Sequence, residues 1–359
     1  MPDYLATRRI VRILRVMFVV LMASVANSPG AVEVDGLYRA EVPVAGKSAK
    51  EREEAVGRAL AAVIVKVTGR RDARNESGLA QAFERPSAYL QQYRYGTVMQ
   101  PDATGTLTPA PTLSVTFDQK AINGLLESSS LPIWSRIRPA TLLWLAVEAN
   151  SQRTLVGPQD ASGLAEIAVA TARARGVPVL LPLLDLEDRA SLSAADVWGG
   201  FTGVIERASA RYGAEAILVG RIAAQPDGAF VGRWTLLIDA VPLDWDSGGA
   251  DAIGAIAEGL EGAADRLGLR FSNISGGISR VRFKVHNVDT LEDYARVSSY
   301  FEGLDIVEAV AVTAAKGSTV SYELSVRGGR VALAQVLGLG RTLEQDPSDA
   351  TLSTYTLRR

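Results

Sequence analysis

Three carboxylates lie within four residues of each other, at Asp185, Glu187 and Asp188 in the segment LLDLED. They follow an apolar segment, residues 178–184, which predicts a strand of a parallel sheet. Open α/β sheets usually bind ligands beyond the carboxyl ends of such strands. The three carboxylates could hold a hard cation, or two of them could act as general acid and base. The alternative interpretation is that Asp185 begins a loop while the other two are solvated.

Other residue types that carry chemistry are scarce in this sequence. The chain has no cysteine, which excludes disulfides, thiolate nucleophiles, zinc–thiolate sites, iron–sulfur clusters and a lipidated cysteine. His286 is its single histidine, so a site with two or three imidazoles is excluded as well. A Ser–His–Asp triad would have to use His286, which ends an alternating strand and is better interpreted as a surface or capping residue. We predict no catalytic residue and no cofactor.

Three motifs of nucleotide-binding or hydrolytic proteins are missing. The sequence contains no P-loop, no G-x-S-x-G and no S-x-x-K. Gly338 and Gly340 resemble the start of a dinucleotide fingerprint, but they end a predicted helix and do not follow a strand. The net charge of −2, without a block of Lys and Arg, argues against nucleic acid as the main partner.

The amino-terminal residues have the pattern of an export signal. Arg8 to Arg15 form a basic region, residues 16–25 are apolar, and small residues follow. This pattern predicts a secretory signal peptide that is removed after residue 26 or residue 31. The apolar segment is about half of the ~20 residues that span a membrane, so we expect no stable membrane span after cleavage. The predicted location is the bacterial periplasm, reached by the Sec route.

The 359 residues are long for one hydrophobic core, and three small domains of α/β and α+β class are predicted. The first, residues 32–134, combines strands with a helix that starts at the capping box Ser48–Glu51. A loop or hairpin end is expected at residues 101–111.

The second predicted domain, residues 139–268, is of the βαβ type with a mixed sheet. Strands are expected at residues 141–147, 178–184, 216–222 and 230–238, with a helix over residues 197–211. A turn is predicted at Asp244–Trp245–Asp246, before a last helix.

The third predicted domain, residues 278–359, has the order β-α-β-β-α-β of a ferredoxin-like fold. Asp289 is expected to cap its first helix. Leu291, Tyr294, Val297 and Phe301 are expected on the inner face of that helix. The fourth strand is placed at residues 352–357.

Aromatic residues on predicted strands offer two further hypotheses. Phe283 and Tyr322 could stack RNA bases, but the sequence around them lacks the RNA-recognition pattern, and core packing is the better interpretation. Tyr89, Tyr93 and Tyr95 could mark a docking face, and the alternative is a half-buried strand with exposed hydroxyls.

The segments PVLLPLLDLED (178–188), DVWGGF (196–201) and RYGAEAILVGRI (211–222) resemble a family of uncharacterised exported proteobacterial proteins known only as a domain of unknown function. The resemblance extends to VDGLYRAEVPV and LWLAVE. More distantly, the helix and strands around residues 211–238 are similar to α/β domains of envelope-assembly factors: the TolB amino-terminal domain, FlgT, CsgG and activators of penicillin-binding proteins. That likeness implies a non-catalytic periplasmic module that binds other proteins.

The leading hypothesis is therefore a periplasmic binding or assembly factor of the envelope, whose partners are other envelope proteins, and not an enzyme. One alternative is an exported metal-dependent hydrolase that uses Asp185, Glu187 and Asp188. The other is a periplasmic small-ligand carrier with a pocket between domains.

Overall fold

The computed structural model of the chain describes residues 32–101, 107–149, 152–272, 278–340, 342–349 and 351–358. The signal-peptide prediction falls on residues 1–31 and lies outside the described residues. The described part forms a two-stranded pair and three larger sheets, each larger sheet having its own hydrophobic core. The predicted mixture of α/β and α+β structure is confirmed. The division at residues 32–134, 139–268 and 278–359 stays a prediction.

The first sheet has three antiparallel strands in the order β2–β4–β3. The elements of this part are β1 (Val32–Glu33), β2 (Arg39–Pro43), α1 (Ala49–Thr68), α2 (Ala80–Glu84), β3 (Leu90–Pro101), β4 (Leu107–Phe117), α3 (Gln119–Ser128) and β5 (Ile137–Arg138). Helix α1 begins with the predicted capping box: the Ser48 hydroxyl accepts the Glu51 amide, and the Glu51 carboxylate accepts the Ser48 amide. Strands β3 and β4 pair as an antiparallel hairpin whose last described pair is Pro101 and Leu107, so the predicted hairpin end within residues 101–111 is confirmed, although residues 107–111 already belong to β4.

The central sheet has the order β11–β10–β9–β6–β7, and β8 pairs with β6 beside β7. Its elements are β6 (Thr141–Ala149), β7 (Gln152–Val156), α4 (Leu164–Ala174), β8 (Val179–Leu180), α5 (Leu186–Ser191), α6 (Ala194–Gly199), α7 (Thr202–Ser209), β9 (Ala216–Ala224), β10 (Phe230–Ile238), β11 (Val241–Gly249) and α8 (Ala252–Phe271). Strand β6 is parallel to β8 and β9, and the remaining pairs are antiparallel. Helices α4 and α8 cover one face, while α6 and α7 cover part of the other.

Three predictions in this region are wrong. Only two residues of the apolar segment 178–184 pair as β8, because Pro178 and Pro182 have no amide to donate to a ladder. The predicted helix 197–211 is broken at Gly200, which is left-handed (φ 68°) and ends α6. Residues 244–246 are not a turn, since they lie within β11, and the turn before them is at Asp239 and Ala240, both with positive φ.

The last sheet has the order β13–β14–β12–β16–β15. Its elements are β12 (Ile278–His286), α9 (Leu291–Glu302), β13 (Val307–Lys316), β14 (Thr319–Arg327), α10 (Gly329–Leu339), β15 (Leu343–Gln345) and β16 (Thr354–Leu357). The predicted fourth strand is present beside β12, but it is parallel to β12, and the additional strand β15 pairs with it at the edge. The arrangement therefore departs from the ferredoxin-like prediction in its final hairpin.

The first helix of this part also differs from the prediction. Thr290, not Asp289, caps α9, and it forms a capping box with Asp293. Val297 and Phe301 face the core as predicted. Leu291 is 82% exposed and Tyr294 is 37% exposed, because both lie in the first turn, before the helix reaches the sheet.

Candidate functional site: the acidic cluster and an open strand edge

The acidic cluster is held by an arginine and a tyrosine that follow α7 directly. The Arg211 guanidinium donates to both oxygens of Asp185 (2.8 and 3.0 Å) and to Asp188 (3.0 Å). It also lies 3.4 Å from the carboxylate of Glu187. The Tyr212 hydroxyl donates to the second oxygen of Asp188 at 2.5 Å. One guanidinium therefore contacts all three carboxylates.

The backbone uses the same carboxylates to close the loop that precedes α5. Asp185 accepts the amide of Asp188 at 3.0 Å as the helix cap, and Asp188 accepts the amide of Leu184 at 2.8 Å. Asp188 is buried, with a side chain only 1% exposed. Asp185 is therefore the cap of α5 and not the start of a loop, and Asp188 is not solvated.

In the folded chain the single positive charge of Arg211 faces all three carboxylates of the cluster. The hydrogen bond from Arg211 lowers the pKa of Asp185 to about 2, and the two carboxylates raise the pKa of Arg211. Burial, helped by Asp188, raises the pKa of Tyr212 to about 12. Because the folded pKa of Asp185 is below its unfolded value of about 4, its contribution to stability is present at neutral pH. That contribution is lost as the pH falls toward 2.

Metal binding would have to displace Arg211. Within the part of the chain that the structure describes, no group of three or more His, Cys, Asp or Glu side chains is arranged to hold a metal ion. The oxygens that a cation would need already accept hydrogen bonds from a guanidinium, an amide or a hydroxyl. The cluster is therefore organised as an ion pair that fastens the loop after β8 to the end of α7.

We expect Ca²⁺ to leave the melting temperature of the wild-type chain unchanged within about 1 °C at millimolar concentration. A cation at 100 times its Kd would stabilise the fold by about 2.7 kcal/mol, which is a shift of several degrees. In the variant Arg211→Ala the carboxylates lose their counter-charge, so Ca²⁺ should raise its melting temperature. Thermal unfolding by circular dichroism with and without Ca²⁺ measures both.

The control for this experiment is Arg189→Ala, which removes an exposed arginine of α5 outside the cluster. It should respond to Ca²⁺ as the wild-type chain does. A shift of several degrees in the wild-type chain that Asp185→Asn abolishes would restore the metal-site hypothesis.

The remaining sequence candidates are placed on strands of the first and last sheets. The ring of His286 contacts the hydroxyl of Thr319 at 2.9 Å between Nδ1 and Oγ1, as expected for a surface residue at a strand end. Phe283 and Tyr322 are buried and pack with Phe301, so they are core residues and not base-stacking platforms. Tyr93 contacts Tyr95 edge-on at 6.0 Å, and docking there stays a prediction.

The surface most open to a partner is the edge strand β13. Among the strands that the structure describes, it pairs with β14 on one side only. Its sequence, VEAVAVTAAK, contains seven alanine or valine residues in ten positions and no proline. Residues 311–316 are exposed on both faces of the strand, and Val312 is 40% exposed. Long, apolar, unprotected edges of this kind readily pair with another strand.

The amino end of β13 is fixed while its other end projects. Asp305, just before the strand, accepts hydrogen bonds from the Arg136 amide (3.0 Å) and from the Gln119 side chain (3.0 Å). Arg327 on β14 joins Glu308 of β13 to Glu127 at the end of α3. These contacts all lie at the amino end of β13, and residues 309–316 extend beyond them.

Two register shifts divide the strand, one between Val307 and Ala309 and the other between Val312 and Ala314. Residues 309–312 between them form the longest regular stretch of the outer edge. The sequence predicted this strand but not its position at the edge. The position of a strand at the edge of a sheet depends on the strand order, which local sequence does not give. The run of short apolar side chains with few charges was the feature of this sequence that distinguished the strand.

No helix among the described residues is long and apolar enough to cross a membrane. A family model described as a domain of unknown function (DUF8605) matches residues 31–135, which include VDGLYRAEVPV but not the segments 178–188, 196–201 and 211–222. No curated protein matches the chain. A solved structure described as "Crystal structure of uncharacterized protein" is 12% identical over 37% of this chain and 88% of its own, with a TM-score of 0.17. The first part of the chain is thus similar to a family without an assigned activity.

Proposed function

We propose that this chain is an exported, non-catalytic binding factor of the bacterial envelope that takes up an extended segment of another envelope protein along the edge of β13. Strand addition supplies affinity through backbone hydrogen bonds and specificity through alternate side chains. The signal-like pattern in residues 8–26 supports a partner outside the cytoplasm.

The observation that carries the proposal is the combination of an unpaired, apolar edge with a fixed base. Natural sheets usually protect such edges with charges, proline, bulges or a covering element. The two register shifts of β13 leave residues 309–312 as its regular outer stretch. In β13 the two charged residues are Glu308, which is tied to Arg327, and Lys316 at the far end. Residues 309–315 carry no charge, and an incoming strand would cover them.

The hydrolase alternative is weaker because Arg211 occupies the carboxylates that it requires. The carrier alternative has a cleft of about 1010 Å³ between the first and last sheets, next to Tyr38, Asn123 and Asp305. Its deepest polar groups already bond to one another: Tyr38 donates to Asn123 at 2.8 Å, and Asp305 pairs with Arg136. The edge of β13 has no such internal partner on its outer side among the described residues.

Site-specific photo-crosslinking in the periplasm of the native host tests the proposal. A photoreactive residue is placed at Ala311, on the edge of β13, and at Val241, on β11, which is an edge strand of the central sheet. We expect a crosslink at position 311 to one exported protein, which excess unlabelled chain competes away, and none at position 241.

Three other outcomes would overturn the proposal. Equal crosslinking at both positions would mean non-specific contact. A crosslink only to a second copy of this chain would make β13 a dimer interface. Absence of any crosslink at position 311, with the protein exported and folded, would leave the edge without a partner.

A further inference from the structure

Two arginines of the central sheet lie directly opposite each other on neighbouring strands. Arg221 on β9 pairs with Arg233 on β10 in the antiparallel register. Arg221 lies two residues after Val219, which packs under α6 and α7, so both arginines lie on that face of the sheet. Helices α6 and α7 do not extend over this part of the face, and a groove remains there.

Like charges placed directly opposite on adjacent strands are destabilising. Neither guanidinium forms an ion pair with a carboxylate within 4.0 Å in the part of the chain that the structure describes. Burial lowers the pKa of Arg221, the charges of Asp244 and Asp246 oppose that shift, and the charge of Arg233 adds to it. The repulsion between the two arginines is therefore not relieved by an ion pair with a neighbouring carboxylate.

One nitrogen of the Arg221 guanidinium forms a hydrogen bond, and another has no acceptor. One of its terminal nitrogens donates to the Thr235 hydroxyl at 3.0 Å, and that hydroxyl donates to Asp244 at 2.7 Å. Its Nε is buried and has no hydrogen-bond acceptor. Buried donors without acceptors call for an explanation, and a bound anion is one that fits this position.

The other wall of the groove is a glycine-rich segment that leads into a helix. Gly199 and Gly200 line the groove with Thr202, the first residue of α7. The capping position of α7 is Phe201, whose side chain forms no capping hydrogen bond. Free amides at a helix start favour an anion. A Cβ on Gly200 would lie only 3.1 Å from an Arg221 terminal nitrogen, so the loop and the arginine are close neighbours.

Two acidic residues of β11, Asp244 and Asp246, line the same groove of about 630 Å³. Asp244 is already bonded to Thr235, and Asp246 lies opposite Arg233 in the register without an ion pair. An adjoining pocket of about 320 Å³ shares both arginines and adds Glu148 and Trp198. The exposed Phe201 ring stands beside the groove. The pocket thus combines the two arginines with acidic side chains and with aromatic surface.

We propose that this groove binds the oxyanion group of a small ligand, a phosphate or a carboxylate, between Arg221, Arg233 and the start of α7. Paired guanidinium groups match the geometry of both oxyanions and bind them with charge-assisted hydrogen bonds. The position agrees with the general location of ligands in open α/β sheets, since Arg221 and Glu148 lie near the carboxyl ends of the parallel strands β9 and β6. This site is separate from β13 and does not depend on protein binding there.

Isothermal titration calorimetry of the full mature chain tests the proposal with two probes, inorganic phosphate and citrate, against sodium chloride of equal ionic strength. We expect one probe to bind the wild-type chain. Arg233→Gln and Arg221→Gln should each weaken that binding about tenfold or more, because each removes a charged donor. Arg189→Gln, an exposed arginine on α5, is the matched control and should leave the affinity unchanged.

Arg233 is exposed, so Arg233→Gln should fold even where Arg221→Gln does not. Binding of phosphate alone would assign a phosphoryl ligand, and binding of citrate alone a carboxylate ligand. The proposal is overturned if neither probe binds beyond the chloride control, or if Arg189→Gln weakens binding as much as Arg233→Gln.

Discussion

Replacing Gly259 with alanine is expected to lower the free energy of unfolding by about 3 kcal/mol or more. Gly259 lies in α8, where the helix crosses the ring of Trp234 on β10. A Cβ at position 259 would lie 1.9 Å from Cε2 and 2.0 Å from Nε1 of that ring, which is well inside van der Waals contact. Either the helix or the tryptophan must move.

The Trp234 side chain cannot shift away from α8 without a steric clash. A Cβ at Gly220 would lie 2.6 Å from the same ring, and so would a Cβ at Gly232. The ring is therefore packed against three glycines, which leave no space for larger residues. Its Nε1 donates to the Ser247 hydroxyl at 2.9 Å, and that hydroxyl donates to the carbonyl of Ala255 at 2.7 Å. The ring is 1% exposed. The sheet, the edge strand β11 and α8 are therefore fitted together around one side chain.

Urea unfolding followed by circular dichroism measures the effect. Gly124→Ala is the matched control, because Gly124 lies in α3 with no atom within 4 Å of its Cβ position. That change should be neutral or stabilise by up to about 1 kcal/mol. Combining Gly259→Ala with Trp234→Leu should cost less than the sum of the two single changes. Strict additivity would contradict the steric explanation.

The second large effect is expected for Arg138, which is fully buried. Its guanidinium donates to the carbonyls of Lys66 (2.8 Å) and Gly176 (2.9 Å), with longer bonds to Arg175, Ser135 and Trp134. It also stacks on the Trp134 ring at 3.9 Å. No carboxylate accepts from it in the described part of the chain.

The charge of Arg138 is stabilised by backbone dipoles. Lys66 lies in the last turn of α1, and Arg175 caps the end of α4, so the guanidinium sits at the negative ends of two helices. Burial lowers the pKa of Arg138. Even so, arginine stays protonated in proteins, so the cation itself fixes these helix ends.

Arg138→Met is expected to lower the free energy of unfolding by about 3 kcal/mol, since each carbonyl left without a donor costs about 1–3 kcal/mol while removal of a buried charge offsets part of that. The matched control is Arg153→Met. Arg153 also stacks on a tryptophan, Trp198, at 4.3 Å, but its side chain is 45% exposed. That change should cost less than about 1 kcal/mol. If both variants lost the same free energy of unfolding, burial and the two helix ends would not explain the contribution of Arg138 to stability.

Local patterns in the sequence predicted much of the secondary structure. The strands predicted at residues 216–222 and 230–238 are present as β9 and β10, and between them the Gly228 amide donates to the Gln225 carbonyl. The capping box at Ser48 and the last helix of the central region, observed as α8, are also confirmed. Each of these features depends only on residues that are close together in the chain, so it can be predicted from the sequence alone.

Features that depend on distant partners could not be predicted. Strand β11 was missed because its hairpin turn has Asp239 and Ala240 at positive φ, where glycine or asparagine is the usual signal. The acidic cluster was identified without Arg211, which follows Asp185 by 26 residues and reaches it only through the fold. Arg221 could have been identified from the sequence, because a charged residue inside an apolar strand is unusual and indicates a specific role.

The dissociation constant of the complex between this chain and its crosslinked partner tests the claim of strand addition most directly. It should be measured for the wild-type chain, for Val312→Lys on β13 and for Val241→Lys on β11, both valines being exposed on free edge strands. We expect Val312→Lys to weaken binding about tenfold or more, because a charge would enter the apolar strand pair, and Val241→Lys to leave it unchanged. Unchanged affinity in Val312→Lys, or equal weakening in both variants, would contradict binding along β13.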